Sequence, residues 1–197
     1  MPQRIITGLG LLEREVHRVS ARLGLQQASL VGVLAATYAV ATVMLGQFSY
    51  SWVQVRISEA LAPLPYVFGL PAVIGLTFGV VVANLFSPVG LPDVIFGPLL
   101  TFAAALLSWK LHFQRRLMAC VYPVVVNSFG VSAYVASFYG VPYELSVLSI
   151  GVGEFVATCL VGYPLLRAME QIPGVHLKSK HPTKENFSES PRRGGEG

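Results

Sequence analysis

The chain has 197 residues, of which 53% are hydrophobic and 12% are charged, and its formal net charge is +4. Soluble domains carry about 25% charged residues, so this composition excludes an ordinary soluble globular protein. Only four of the 14 basic residues fall between Ala28 and Leu166, and the others lie at the two ends. A basic excess beside apolar segments reports orientation in a membrane, and it does not indicate nucleic-acid binding.

Residues 1–27 are predicted to form a cytoplasmic arm. Apolar residues from Leu9 to Leu23 recur at alternating spacings of three and four, which is typical of an amphipathic helix on a membrane surface. The 21 residues from Ala28 to Phe48 carry no charge. A span of about 20 apolar residues crosses a bilayer, so this run is the first predicted transmembrane helix.

One stripe of this first helix consists of small residues. Small side chains spaced by four let two helix backbones approach closely inside lipid. This surface either packs against the protein's own helices or docks a separate membrane subunit, and the pattern leaves both open. The stripe contains Gly32, Ala35, Ala36 and Ala39.

The segment from Ile57 to Pro88 is too long for one span and is interrupted by three prolines in its first part. The N-terminal arm, the Lys110–Arg116 link and the C-terminal tail are basic, so all three are expected on the cytoplasmic side. An even number of spans must then precede the link. We therefore predict two short spans here, with a turn near Gly69.

Three further spans are predicted at residues 94–109, 117–139 and 145–166. The sequence thus predicts an all-α membrane protein with six transmembrane helices over residues 28–168 and both termini in the cytoplasm. Residues 169–197 are polar and rich in proline and glycine, and we expect a disordered tail. Both cysteines, Cys120 and Cys159, fall inside apolar spans, where they are expected to be buried small residues.

The segment from Ser51 to Leu61 places Arg56 and Glu59 between two apolar regions. If it is helical, their spacing of three puts both side chains on one face, close enough to meet. Charged groups at membrane depth cost about 2.5–3.5 kcal/mol and usually pair or line a polar cavity. Tyr50 and Trp52 are expected to anchor at the interface or to stack on a ligand. The alternative is an interfacial loop whose arginine reaches the lipid headgroups.

Other polar residues also fall within the predicted spans. Glu154 lies about ten residues into the last one, where no helix cap is available, so it should face the bundle interior. Asn84 and Asn127 are neutral groups at similar depth, suited to interhelical hydrogen bonds or to a ligand. Asp93 and Glu144 each follow a proline at a helix start, where the simpler interpretation is an N-cap carboxylate for Asp93 and a first-turn acid for Glu144.

The residues along the membrane region resemble the QueT family of queuosine-precursor transporters. The resemblance is carried by Val53-Gln-Val-Arg-Ile-Ser-Glu-Ala-Leu61, by Ala83-Asn-Leu85 with Gly90-Leu-Pro-Asp-Val-Ile-Phe-Gly97, and by Pro123-Val-Val-Val-Asn127 and Gly153-Glu-Phe155. It covers residues 28–166. QueT proteins are similar to the six-helix substrate-binding (S) components of energy-coupling factor transporters.

This resemblance implies an S-component-like bundle in a prokaryotic cell membrane. It implies three kinds of partner: a transmembrane coupling subunit, two cytoplasmic ATPases and a deazaguanine-type substrate. It also implies that the small stripe, with Ala35 and Ala39 at its centre, docks the coupling subunit. We expect no cofactor, no metal and no catalysis, because no nucleophile–base pair, phosphate loop or metal-ligand spacing is recognisable.

The substrate is expected to contact eight residues of the membrane region. The alternatives that remain are an S component for another vitamin or nucleobase, an intramembrane enzyme using Glu154 and Asp93, and a structural subunit without a ligand. The eight expected contacts are Tyr50, Trp52, Arg56, Glu59, Asn84, Asp93, Asn127 and Glu154.

Overall fold

The computed structural model describes residues 24–51, 54–111 and 115–172, and within these ranges the secondary structure is helical without any strand. This confirms the predicted all-α class, while most of the predicted N-terminal arm and most of the predicted tail lie outside the described residues. The helices are α1 (Gly24–Met44), α2 (Gly46–Ser49), α3 (Pro65–Phe68), α4 (Leu70–Asn84), α5 (Leu91–Lys110), α6 (Arg116–Tyr139), α7 (Tyr143–Glu154) and α8 (Gly162–Glu170), with a 3₁₀ turn at Ile57–Leu61 and a π-helical segment at Phe155–Val161.

Four stretches of helix are long and apolar enough to cross a membrane. They are α1, α5, α6 and the continuous rod of 28 residues that joins α7 to α8. The predicted spans at 94–109, 117–139 and 145–166 each lie inside one of these helices. The structure therefore supports a protein that passes through the membrane several times.

Helix α4 packs closely against α1, and the two run in the same direction. A Cβ atom added at Gly75 would lie 2.9 Å from the carbonyl oxygen of Val31, and one at Gly79 would lie 2.9 Å from that of Ala35. A step of four residues along α4 therefore corresponds to a step of four residues in the same direction along α1. Because α1 and α4 are parallel, the chain between them has to run back along the bundle.

Residues 54–68 make this return, but not as a regular helix. The predicted second span is wrong in this respect, since a 3₁₀ turn and the four-residue α3 precede the 15-residue α4. The predicted turn near Gly69 is present, and the backbone there has a φ of 65°. Irregular backbone at membrane depth is tolerated only where protein shields it. Most residues of the return segment are indeed buried.

Two glycines of the last rod provide the surface on which the return segment lies. A Cβ atom at Gly153 would lie 1.8 Å from the carbonyl oxygen of Gln54, and one at Gly162 would lie 2.7 Å from that of Ala60. Backbone thus occupies the space that side chains would fill. The contact brings the charged part of the return segment against the rod that carries Glu154.

The two ends of the bundle differ in chemistry. Around the start of α4 and the end of α8 the core is apolar, and an ion pair between Arg116 and Glu170 joins α6 to α8 on the surface, with Nε 3.0 Å from Oε1 and 2.7 Å from Oε2. Polar side chains are buried toward the opposite end. The apolar cluster consists of Leu34, Leu64, Val67, Phe68, Ala72 and Leu166.

Candidate functional site

The predicted site residues that the structure describes are all buried. This agrees with the prediction that these polar side chains turn inward instead of meeting lipid. Trp52 lies outside the described residues. The exposed fractions are 7% for Tyr50, 6% for Arg56, 2% for Glu59, 0% for Asn84, 0% for Asp93, 3% for Asn127 and 6% for Glu154.

Arg56 and Asp93 form a buried ion pair that joins the return segment to α5. The guanidinium Nη2 lies 3.2 Å from Asp93 Oδ2, and Nε donates to the carbonyl oxygen of Ser49 at 3.1 Å. Tyr134 of α6 donates to the other Asp93 oxygen at 2.8 Å, and the amide of Asn84 donates to the Asp93 carbonyl at 2.7 Å. Four parts of the chain therefore meet at this aspartate.

Two sequence-based interpretations are corrected by this cluster. Arg56 pairs with Asp93 of another helix instead of with Glu59 in its own segment. Asp93 does not cap α5, because Gly90 occupies the N-cap position and Asp93 lies inside the first turn. Glu144, by contrast, is exposed in the first turn of α7, where its charge suits the helix dipole as predicted.

Tyr50 holds the connection between α1 and the return segment. Its hydroxyl donates to the carbonyl oxygen of Ala83 at 2.6 Å, and its own carbonyl oxygen accepts from Tyr139. The guanidinium carbon of Arg56 lies 5.5 Å from the centre of its ring, which is within cation–π range. Burial raises the pKa of Tyr50, so its hydroxyl stays protonated and able to donate.

Glu59 and Glu154 form what we term the carboxylate pair, which lies on facing elements of the bundle. Glu59 accepts a hydrogen bond from the hydroxyl of Tyr38 in α1. Glu154 Oε1 accepts from the amide of Asn127 in α6 at 3.1 Å. Glu154 is the last residue of α7 before the π-helical segment, and such segments are frequent at functional sites.

Several buried polar atoms of the interior have no hydrogen-bond partner in the structure. More than nine-tenths of buried polar groups in proteins are paired, so each such atom is a position for a ligand or water. The set offers carboxylate and amide acceptors, an amide donor and hydroxyls of either kind. It includes Glu154 Oε2, Asn84 Oδ1, Gln54 Nε2, Ser132 Oγ and Ser146 Oγ.

Sequence reasoning missed three contributors to this interior: Tyr38, Gln54 and Tyr134. The side chain of Tyr38 is fully buried, and Thr42 one turn later bonds Ser58 of the return segment at 2.7 Å. The hydroxyl groups of Tyr38 and Thr42, spaced by four on a mostly apolar helix, are the signal that could have identified this face of α1. Tyr134 had no comparable signal, because aromatic residues are common in spans.

The predicted docking stripe is divided between two faces of α1. Ala35 lies against Gly79 of α4, and Ala39 is 8% exposed, so both contribute to packing within the chain. Gly32 and Ala36 are exposed, and no atom lies within 4 Å of a Cβ placed on Gly32. Of the four predicted residues, these two remain available to a partner.

A model of the QueT transporter family matches residues 29–171 of the chain. The match covers α2 to α8, all but the first five residues of α1, and all the described polar residues of the interior. Searches of curated proteins and of solved structures found no match.

Proposed function

Because the chain belongs to the QueT transporter family, we propose that it is the membrane-embedded substrate-binding subunit of an energy-coupling factor importer for a deazaguanine-type precursor of queuosine. The observation that carries this proposal is Glu154 Oε2, a buried carboxylate oxygen in the bundle interior without a hydrogen-bond partner. A polar solute is the natural occupant of such a position. Membership in a transporter family also favours transport over catalysis.

The chemistry of the interior fits the edge of a purine-like base. Such an edge carries adjacent N–H donors and a carbonyl acceptor. Glu154 would accept from the N–H pair, and the unpartnered amide of Gln54 would donate to the carbonyl. Asn84 Oδ1 offers a second acceptor. An intramembrane enzyme using Asp93 has less support, since both of its carboxylate oxygens already accept hydrogen bonds.

We further propose six membrane crossings with both termini in the cytoplasm. Five crossings would be α1, α4, α5, α6 and the rod from α7 to α8, and the return segment would be the other. The parallel packing of α1 and α4 supports a crossing between them. The basic residues at both ends support the cytoplasmic placement of the termini, and the family implies the cell membrane of a prokaryote.

The site is tested with the purified full chain. Mass spectrometry of small molecules retained through purification identifies the ligand, and calorimetry measures its affinity. Glu154→Gln should weaken binding more than tenfold, or about 1.4 kcal/mol, because it removes the negative charge and replaces one carboxylate oxygen with an NH₂ donor while Asn127 occupies the other. Glu144→Gln, an exposed change at the start of the same rod, is the matched control. Unchanged affinity in Glu154→Gln would contradict the assignment of Glu154 as a substrate contact.

The implied partners are a transmembrane coupling subunit and two cytoplasmic ATPases. We propose that the exposed small residues of α1, Gly32 and Ala36, form the docking surface. Replacing both with leucine should abolish co-purification with the coupling subunit while ligand binding by the isolated chain persists. Val152→Leu, on an exposed position of α7, is the control. Retained co-purification of the double variant would show that Gly32 and Ala36 do not form the docking surface.

A further inference from the structure

The buried charges among the described residues do not balance. Three carboxylates are buried there, those of Glu59, Asp93 and Glu154, against one buried base, Arg56. Lys110, Arg115, Arg116 and Arg167 are the other described basic residues, and all are exposed. With every carboxylate ionised, the interior would carry two uncompensated negative charges.

The single buried base is already engaged. Arg56 makes its ion pair with Asp93 and its other bond to the carbonyl oxygen of Ser49, so this pair is neutral as a unit. The two carboxylates of the carboxylate pair remain. Glu59 has a bond from Tyr38, and Glu154 has a bond from Asn127, but both donors are neutral.

Backbone packing joins the two elements that carry Glu59 and Glu154. Gly153 abuts the carbonyl of Gln54, and Gly162 abuts that of Ala60, so Glu59 and Glu154 lie on two elements in direct contact. The charges of Glu59 and Glu154 act on each other, and no described base faces them except Arg56. The titratable groups near Glu154 are Glu59 and Arg56 from the return segment, Cys159 from its own rod, and Tyr38 from α1.

Two neighbouring carboxylates in a water-poor interior do not both ionise without a counter-charge, because desolvation and mutual repulsion both disfavour the charged forms. We propose that the empty site holds one proton on the carboxylate pair and that a cationic substrate displaces it on binding. This rests on the proposed function. One ammonium enters and one proton leaves to solvent, so the net charge of the interior stays constant.

The unpartnered groups support an exchange of this kind. Glu154 Oε2 is buried without a partner, and so is Gln54 Nε2 on the facing segment. An aminomethyl-substituted deazaguanine supplies a cation for the carboxylate pair and a carbonyl for the amide. Deazaguanine itself has the same ring without the cation, so it should bind without displacing the proton.

The experiment is calorimetry on the full chain in phosphate and in Tris, two buffers whose ionisation enthalpies differ. The aminomethyl compound should release about one proton per molecule bound at neutral pH, and deazaguanine should release none. By linkage, affinity for the aminomethyl compound should rise about tenfold per pH unit, in the range where the pair holds its proton and the amine stays charged. Glu59→Gln should abolish the release, and Glu144→Gln should leave it unchanged.

The wild-type measurement tests the proton exchange even if the Glu59 variant fails to fold. Binding of the aminomethyl compound with no proton release and no pH dependence would overturn the exchange while leaving the proposed function in place. Equal release by both compounds would also overturn it, because the cation would then not be the cause. Binding of neither compound would instead overturn the proposed deazaguanine substrate.

Discussion

Gly153→Ala tests whether the return segment lies directly on the last rod. A Cβ atom at this position would lie 1.8 Å from the carbonyl oxygen of Gln54 and 2.9 Å from its carbonyl carbon. Ordinary van der Waals contact begins at 3.4 Å. The obstructing atoms belong to backbone, so no side-chain rotation relieves the overlap, and the return segment has to move away by about 1.6 Å.

The expected cost follows from two opposing terms. Overpacking of this kind costs about 1–3 kcal/mol, and the upper end applies where backbone must shift. Alanine recovers about 1 kcal/mol of helix propensity relative to glycine. The net destabilisation is therefore about 2 kcal/mol. For a protein of this size that lowers the melting temperature by about 4–8 °C.

The assay is thermal unfolding of the purified chain in detergent, followed by ligand calorimetry. Gly32→Ala is the matched control, because no atom lies within 4 Å of its added Cβ, and its melting temperature should stay equal or rise. Ligand affinity should also fall in Gly153→Ala, because the displaced segment carries Glu59. If Gly153→Ala has the same melting temperature as Gly32→Ala and binds ligand normally, the return segment does not lie directly on the last rod.

Three further outcomes are expected. Asp93→Asn leaves the guanidinium of Arg56 buried without its counter-charge, so unfolding measurements should show a loss of about 3–5 kcal/mol. Gly79→Ala places a Cβ 2.8 Å from another side chain and 2.9 Å from an α1 carbonyl oxygen, so it should cost about 1–3 kcal/mol in the same assay. Arg116→Gln breaks the ion pair with Glu170. Because the Arg116 side chain is 48% exposed, the free energy of unfolding should fall by less than about 1 kcal/mol, and a larger loss would contradict a surface ion pair.

Apolar run length and charge placement were enough to predict the main helices. The first span and the spans at 94–109, 117–139 and 145–166 follow from stretches of about 20 apolar residues. The inward orientation of Glu154 followed from the cost of a charge in lipid. Each of these predictions depends on the composition of a single segment, which can be read directly from the sequence.

What could not be predicted depends on contacts between distant segments. Arg56 has a nearby acid at Glu59 and a remote one at Asp93, and it is the folded arrangement that selects the remote one. The irregular form of residues 54–68 depends on the glycine surface at Gly153 and Gly162. Glycine at these positions permits a close approach, but the linear sequence does not indicate which segment approaches.

The irregular return segment has a consequence for biogenesis. It carries Arg56, Glu59 and two prolines, and by itself it would not partition from the translocon into lipid. Its shielding comes from α1, α4 and the last rod, and that rod is synthesised at the end of the described region. The ribosome will therefore have made most of the chain before this segment reaches its native depth, so truncation before Gly153 should trap a partly inserted intermediate.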